Sequence, residues 1–411
     1  MAVLPQPQLE KLSRIDPSVR AIVRAWRRLT TPPGQRRAGP GERTLVACSG
    51  GADSCALLLA LAAAAKPDRI VVGHIVHDLR SRQESLADRD AVRELALQLG
   101  LDFAEGEITV RGGLGGVGGV GGEATRNPEA AARTSRYRKL AELAIARQIR
   151  YVAVGHHADD QIETVLMTLL RGTGGGGVRG MPAKRPLAGR GGEKVWLIRP
   201  MVNEPSITHE VCRNICTRAG VPWQEDATNS DTSRLRSALR HQVVPILRTI
   251  RPDLAKRAAA AARHADGVAR LLKREAARIL RIAEPDSRGL SWTRAKLQRQ
   301  PAVAVGEALR LARCKICGPK GADQSGRRTI EAIVRAIRDR STDPRVFPLG
   351  GAIVRVTARS VELRRAVDIR PPDAQSPATL GTLPACFPAN SKTSPAAIPG
   401  PTRSVIASSP T

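Results

Sequence analysis

The chain has 411 residues, enough for two domains and a tail, and it carries 66 Lys and Arg against 38 Asp and Glu, a formal net charge of +28. This excess predicts a polyanionic partner, with nucleic acid as the first candidate, although an Arg- and Ala-rich composition can also reflect genomic base bias. Seven scattered cysteines argue against a secreted disulfide framework, and the longest apolar run is too short to span a bilayer, so we expect a cytoplasmic protein without membrane contact.

Composition divides the chain into four regions. Residues 1–42 are basic and contain several prolines, which predicts a loosely attached N-terminal extension. Residues 43–232 alternate between strand and helix patterns and predict a parallel α/β sheet with helices on both faces. Residues 233–366 predict a smaller, mainly helical substrate-binding domain that ends in a short β-hairpin. Residues 367–411 are rich in Pro, Ser and Ala without periodicity, which predicts a disordered tail.

Apolar periodicity places the predicted elements in chain order. After a helix at 18–29, we predict strands at 44–48, 70–76, 102–110 and 151–155, and helices at 54–65, 82–99, 127–148, 159–170 and 208–219. A glycine repeat at 112–122 predicts a mobile loop over the sheet edge. In the helical domain we predict helices at 233–250, 253–284 and 328–339, and a hairpin of strands 346–349 and 353–363 that turns at Gly350 and Gly351.

The most informative motif follows the first strand and consists of Ser49, Gly50, Gly51, Ala52, Asp53 and Ser54. Its two glycines allow a tight turn, so that backbone N–H groups and the start of the next helix can face an anion such as phosphate. No Gly-Lys-Ser/Thr sequence follows, which excludes the Walker loop of kinases and GTPases. An ordinary tight turn is the alternative interpretation of the motif taken alone.

Polar residues also mark the second strand and a later helix. His74 and His77 lie at the end of the second strand, where open α/β sheets bind ligands, although a structural role is equally compatible with the pattern. Arg133, Arg136 and Tyr137 share one helix face by their three- and four-residue spacing. That face either holds phosphate or is simply a solvated basic surface.

The segment after the fourth strand contains two histidines and two carboxylates that open a helix. His156 and His157 precede Asp160 and Glu163, whose spacing places both carboxylates on one helix face. Two carboxylates so close repel each other unless a cation lies between them, and Mg²⁺ that bridges nucleotide phosphates is the usual reason. A two-metal hydrolase site is the rival interpretation. A helix start enriched in acidic residues is the third, but it does not explain the two histidines.

Two arginines on a later helix form the fourth candidate feature. Arg236 and Arg240 are four residues apart, so their side chains project together and suit phosphate binding. A run of surface charge is the alternative.

The pair Cys314 and Cys317 has the Cys-x-x-Cys spacing of half a zinc site or of a redox pair. A second such pair is absent from the sequence. We therefore expect no metal to be bound by these two cysteines.

Taken in order, these motifs resemble the tRNA(Ile)-lysidine synthases, a branch of the PP-loop ATP-pyrophosphatases. The segments that carry the resemblance, over about residues 43–250, are 49–54, 74–80, 132–137, 156–164, 170–181, 198–200, 225–229 and 236–241. The resemblance implies a parallel-sheet PP-loop domain with a smaller C-terminal domain. It also implies a ligase that uses ATP to adenylylate the wobble cytidine of an isoleucine tRNA with a CAU anticodon and then attaches L-lysine, with release of AMP and pyrophosphate.

The resemblance further implies individual residue roles. Asp53 and Glu163 would hold Mg²⁺, Asp160 and Glu163 would lie near the lysine ammonium, and Arg236 or Arg240 would stabilise charge in the transition state. The catalytic residues would thus be Asp53, Asp160, Glu163, Arg236 and Arg240. ATP would be bound by Ser49, Gly50, Gly51, Ala52, Asp53, Ser54, Ile75, Arg133 and His156.

The sequence also departs from the family pattern. Asp78 stands where many relatives have Gly, Ser237 stands where Asn is typical, the glycines at 112–122 are an unusual insertion, and the larger C-terminal tRNA-binding domain is hard to recognise. The closest alternative is a tRNA 2-thiolation enzyme of the same superfamily, whose catalytic cysteines have no counterpart between Cys55 and Cys212. A His/Asp metal-dependent hydrolase and a non-catalytic RNA-binding protein are the others. A homodimer is compatible with the sequence.

Overall fold

Two β-sheets and the helices that pack on them are seen in the computed structural model, which describes residues 12–32, 34–35, 38–78, 81–109, 128–171, 180–188, 194–224, 235–286, 289–318 and 326–366. Three predicted features lie outside these ranges, namely the loop at 112–122, the end of the α/β region at 225–232 and the tail at 367–411.

The larger sheet has six strands in the order β3-β2-β1-β4-β6-β5. The strands are β1 Thr44–Ala47, β2 Ile70–His77, β3 Asp102–Ile108, β4 Tyr151–Val154, β5 Lys184–Ala188 and β6 Val195–Ile198. Neighbouring strands pair in parallel except β5 and β6, which are antiparallel. The predicted parallel sheet is therefore confirmed. The unpredicted strand β5 contains Pro186 and lies at the edge, where a missing N–H is tolerated.

Helices flank this sheet on both faces, with α1 Pro17–Thr30, α2 Ala52–Ala62, α3 Arg82–Gln98, α4 Pro128–Ala146, α5 Ala158–Leu170 and α6 His209–Ala219. Their bounds differ from the predicted ones by a few residues. The chain runs from β1 through α2 to β2 on one side, and from β3 through α4 to β4 on the other. Because the connections diverge at β1 and β4, a crevice forms at the carboxyl ends of these strands.

The N-terminal helix α1 packs into the main core. Val19, Ile22 and Trp26 are buried, and the indole N–H of Trp26 donates to Thr44 Oγ1 in β1 at 2.9 Å. Asp16 caps the helix by accepting from the backbone N–H of Ser18 at 2.7 Å. The expectation of a loose attachment over residues 1–42 was thus wrong for this helix, because its apolar face is buried on the sheet layer.

The second region combines helices with a five-stranded antiparallel sheet in the order β7-β8-β11-β10-β9. Its helices are α7 Leu235–Ala238, α8 Val244–Ile250, α9 Leu254–Arg281, α10 Arg294–Gln298, α11 Ala302–Cys317 and α12 Arg327–Arg338, and its strands are β7 Glu284–Asp286, β8 Gly289–Thr293, β9 Arg345–Leu349, β10 Ala352–Val356 and β11 Ser360–Arg365. The single strand predicted at 353–363 was wrong, because a turn divides it into β10 and β11. The sheet is also larger than the predicted hairpin.

The two regions share buried apolar contacts. Ile162 in α5, Val244 in α8 and Ala258 in α9 form one small cluster. The described residues up to Ala366 belong to one compact unit, and the domain boundary after residue 232 stays a prediction. Among the described helices, none combines the length and the apolar character that crossing a membrane requires.

Candidate active site

The loop at 49–54 turns tightly between β1 and α2. Gly50 has φ +89°, a backbone conformation that favours glycine. The Ser54 hydroxyl closes the loop, since it donates to the Gly51 carbonyl at 2.9 Å and accepts from the Ser49 N–H at 3.1 Å. Helix α2 then begins at Ala52, and no side chain caps it. The loop and this helix start together form a cradle for an anion.

Gly155, directly after β4, packs against the same loop. A Cβ atom at this position would lie 2.9 Å from the Asp53 carbonyl carbon and 3.0 Å from the Ser54 nitrogen. Only glycine therefore allows the β4 end to approach the loop this closely. The contact fixes the anion cradle relative to the residues that follow β4.

Asp53, in the first turn of α2, faces two imidazole rings. Its Oδ1 atom lies 2.8 Å from Nδ1 of His209, and its Oδ2 atom lies 3.3 Å from Nε2 of His157. His157 is the N-cap of α5 and is buried, whereas His209 is the first residue of α6 and is half exposed. Three helix starts therefore bring one carboxylate and two imidazoles together.

Charge in this cluster is compensated locally. Burial raises the pKa of the Asp53 carboxyl, but the neighbouring His157 and His209 outweigh burial and hold that pKa well below its ordinary value. Burial lowers the pKa of His157, but the carboxylates of Asp160 and Asp53 outweigh it and raise that pKa to about 9. At neutral pH in the absence of a bound cation, Asp53 is therefore ionised and His157 is protonated.

The two predicted carboxylates and the two predicted arginines form a second cluster. Glu163 is 1% exposed, and its Oε1 and Oε2 atoms accept from Arg240 Nε at 2.6 Å and Arg236 Nε at 2.7 Å. Both guanidinium groups also contact Asp160 Oδ1. The chain adopts a π-helical turn at Leu239–Val243, which contains Arg240. The two arginines lie together, as their spacing predicts, but their partners in this structure are carboxylates, and phosphate binding by them stays a prediction.

Asp160 has a second role as a helix cap. Its Oδ2 atom accepts from the backbone N–H of His157 at 3.0 Å, so that it stabilises the start of α5. Burial raises the pKa of Asp160, but the charges of His157 and Arg236 outweigh it and lower that pKa overall. The carboxylate therefore stays ionised although its side chain is buried.

Asp159 connects the two histidine-bearing segments, a role that no sequence pattern predicted. Its Oδ2 atom accepts from the backbone N–H of His209 at 2.9 Å, and its Oδ1 atom pairs with Arg248 of α8. His209 and Arg248 were both missed from the sequence. The only available signal for His209 was Thr208, the N-cap directly before it. This arrangement at the start of α6 parallels the motif residues that precede α5.

His156 lies beside a positively charged flank. Its Nδ1 atom is 3.3 Å from Nε of the buried Arg199, and burial lowers the His156 pKa to about 3, so that the ring is neutral. Arg133 is exposed, and its guanidinium lies 3.4 Å from the hydroxyl of Tyr137, four residues along α4. The predicted pairing on this helix face is thus present. A neutral ring beside guanidinium groups suits an uncharged part of a ligand or a phosphate oxygen.

Two residues of β2, Ile75 and His74, contact the protein interior rather than the cradle. Ile75 is buried in the apolar cluster on the α4 side of the sheet, with Leu45 and Ala104 among its members. His74 is buried, and its Nδ1 atom lies 2.9 Å from the Cys48 carbonyl. The side chain of Ile75 therefore contributes packing, and a role in nucleotide binding stays a prediction.

The Cys-x-x-Cys pair lies in the second region, and its lack of a bound metal stays a prediction. Cys314 and Cys317 lie in the last turn of α11, and the Cys317 thiol donates to the Gly351 carbonyl at 3.4 Å. In the described part of the chain, the group with metal-ligand spacing consists of Asp53, His157 and His209 and includes neither cysteine.

Comparison with known proteins identifies the family. A PP-loop domain model matches residues 24–247. A tRNA(Ile)-lysidine synthase from Bordetella pertussis is 34% identical over 273 residues, which cover 65% of this chain and 79% of the relative. A synthase of the same name from Nostoc sp. is 31% identical over 342 residues, which cover 79% and 91%. Another from Salinispora arenicola is 38% identical over 238 residues, which cover 57% and 64%.

The loop at 49–54 lies at the carboxyl ends of β1 and β4, beside a buried carboxylate pair and within the matched residues. The order of the strands, the loop at 49–54 and the matched proteins all indicate the same family. The chain belongs to the PP-loop proteins and, among them, to the tRNA(Ile)-lysidine synthase family.

Proposed function

We propose that this protein is a ligase that converts the wobble cytidine of an isoleucine tRNA with a CAU anticodon into lysidine. The cytidine 2-carbonyl oxygen attacks the α-phosphorus of ATP and displaces pyrophosphate. The ε-amine of L-lysine then attacks the activated ring carbon and displaces AMP. The observation that carries the proposal is the anion cradle at 49–54 beside the buried pair Asp160 and Glu163, in a chain whose relatives are named for this reaction.

The cradle suits the leaving group of the first step. Backbone N–H groups at the start of α2 and the hydroxyl of Ser49 can donate to pyrophosphate oxygens, while the Ser54 hydroxyl holds the loop closed. Because these groups are fixed by the turn and by the contact with Gly155, they need little reorganisation when charge develops. The neutral His156 and the arginines near it are suited to the nucleotide end of the substrate.

The carboxylate pair suits the amine substrate. A lysine ammonium that enters the site can replace guanidinium groups on Asp160 and Glu163, because it offers the same charge and three donors. The arginine that is displaced becomes available to a phosphate oxygen in the transition state. Both Arg236 and Arg240 contact both carboxylates, so the geometry supports either arginine in this role.

Asp53 and Glu163, the two residues predicted to hold Mg²⁺, differ in how well they suit that role. Asp53 is ionised and half buried, as a metal ligand should be, whereas each oxygen of Glu163 accepts a hydrogen bond from an arginine. Glu163 therefore fits a metal only after the two guanidinium groups have moved. When bound, Mg²⁺ would neutralise phosphate charge. Its ligation by Asp53 and Glu163 stays a prediction, as do L-lysine as co-substrate, a cytoplasmic location and a homodimer.

One assay tests the reaction. The protein is incubated with ATP, Mg²⁺, labelled lysine and a transcript of the isoleucine tRNA, and label in tRNA and released pyrophosphate are measured. We expect both products, and we expect Asp53→Ala to abolish pyrophosphate release while tRNA affinity stays within a few-fold. Asp102→Ala, an exposed carboxylate at the start of β3, is the matched control and should act as wild type.

Two results would contradict the proposal. Pyrophosphate release without lysine incorporation would favour another ATP-dependent tRNA modification, such as 2-thiolation. Neither product with a correctly folded tRNA would remove the ligase assignment altogether. A large loss of tRNA binding in Asp53→Ala would instead mean that the loop supports the fold rather than the chemistry.

A further inference from the structure

The cluster of Asp53, His157 and His209 has the spacing of metal ligands. One donor atom from each residue lies within 4.8 Å of the other two, and in the described part of the chain no other group of His, Cys, Asp or Glu meets that criterion. The three residues stand at the starts of α2, α5 and α6, so each is held by a fixed element. The ring centroids of the two histidines are 5.9 Å apart.

A second observation points to a missing ligand in this cluster. The Nε2 atom of His157 is buried and has no hydrogen-bond partner, although Asp53 Oδ2 lies at 3.3 Å and Asp160 Oδ2 at 3.6 Å. A buried polar atom without a partner loses its hydration without compensation, so such atoms are rare unless a ligand completes them. The nitrogen faces the Asp53 carboxylate, which also faces His209.

We propose that Asp53, His157 and His209 bind a divalent transition metal of the Zn²⁺ and Co²⁺ class. Two imidazole nitrogens and one carboxylate oxygen form a donor set that these ions prefer, whereas Mg²⁺ prefers oxygen donors alone. Three protein ligands leave a fourth position open. Because Asp53 belongs to the anion cradle, a phosphate oxygen is the natural ligand for that position. Glu163 takes no part, since both its oxygens are held by arginines.

The residues around the cluster support this arrangement. Metal binding at Nε2 of His157 requires the ring proton on Nδ1, and Asp159 Oδ2 lies 3.6 Å from that atom to accept it. In this structure Nδ1 instead accepts from the Asp159 N–H at 3.2 Å, so metal binding would replace that contact and release a proton from the ring. The same oxygen accepts from the backbone N–H of His209. Asp159 thus positions both histidine-bearing segments.

The experiment measures Co²⁺ binding to the full chain without ATP or tRNA. The protein is stripped with a chelator, dialysed against Co²⁺, and examined by elemental analysis and visible absorption. We expect about one Co²⁺ per chain with ligand-field bands of nitrogen and oxygen ligation, and a loss of affinity of roughly tenfold or more in His209→Ala. His264→Ala removes an exposed histidine of α9 and should bind as wild type. Thermal unfolding of His209→Ala confirms that the variant is folded.

Three outcomes would contradict the proposed metal site. Wild type that holds no more Co²⁺ than His209→Ala would mean that His157 and Asp53 form only an ion pair. Bands of thiolate ligation would place the ion on cysteines. Displacement of Co²⁺ by an equal concentration of Mg²⁺ would indicate a site without nitrogen selectivity. Because no ATP or tRNA is present, failure here is distinct from failure of the lysidine assay.

Discussion

At the scale of single residues, the site is built from charges that neutralise one another. Asp160 and Glu163 carry two negative charges in a buried place, and Arg236 and Arg240 supply two positive ones. Such pairs are costly to break, because removal of one partner leaves an uncompensated charge away from water. The cluster is therefore stable as a whole and sensitive to any single change.

Glu163→Gln should reveal that sensitivity. The amide keeps the size of the side chain but removes the charge, so both guanidinium groups lose part of their compensation, and we expect a loss of about 3 kcal/mol of stability. Urea unfolding measures the change. Glu331→Gln, in an exposed pair with Arg327, is the matched control and should leave the unfolding curve unchanged. Equal stability of Glu163→Gln and wild type would show that the arginines are compensated by solvent.

At the scale of elements, close packing between two loops sets the geometry of the cradle. The segment after β4 touches the loop after β1 at Gly155, where no side chain fits. The sequence contains many glycines, and spacing alone does not separate this one from glycines in open positions such as Gly267. Only the tertiary contact makes the difference.

Gly155→Ala should therefore affect the site more than the fold. Its methyl group would push Asp53 and Ser54 aside, and we expect ATP affinity to fall roughly tenfold or more. Calorimetric titration with ATP gives this value. Gly267→Ala, inside α9 with nothing within 4 Å, should keep ATP affinity and gain about 0.5–1 kcal/mol of stability. Unchanged ATP affinity in Gly155→Ala would mean that the cradle adjusts freely.

At the scale of the whole molecule, local pattern predicted the order of elements but not the long-range contacts of the site. Strands β1 to β4 and helices α1 to α6 follow from apolar periodicity, because each of these elements satisfies its own pattern, whereas β5 and β6 were not predicted. His209 lies 156 residues from Asp53, and no spacing rule joins the two. The short strands β7 and β8 were missed because a few residues beside Gly289 give too weak an alternation.

Removal of residues 367–411 tests the predicted extent of the working molecule. The composition predicts a tail that contributes little to the site, so turnover in the lysine incorporation assay should stay within roughly twofold of wild type. Tryptophan fluorescence compares the folding of both forms. A severe loss of turnover in a folded truncated chain would show that the tail takes part in substrate binding.

The burial of Trp26 against Thr44 has a consequence for where the catalytic unit begins. A chain cut at residue 43, the boundary that composition suggests, would uncover the apolar surface now covered by Ile22 and Trp26 and would remove the indole donor from Thr44. Apolar residues of the main core that α1 covers, and Thr44 at the start of the strand that leads into the anion cradle, would then face water. The smallest stable catalytic unit therefore includes α1 and its cap Asp16.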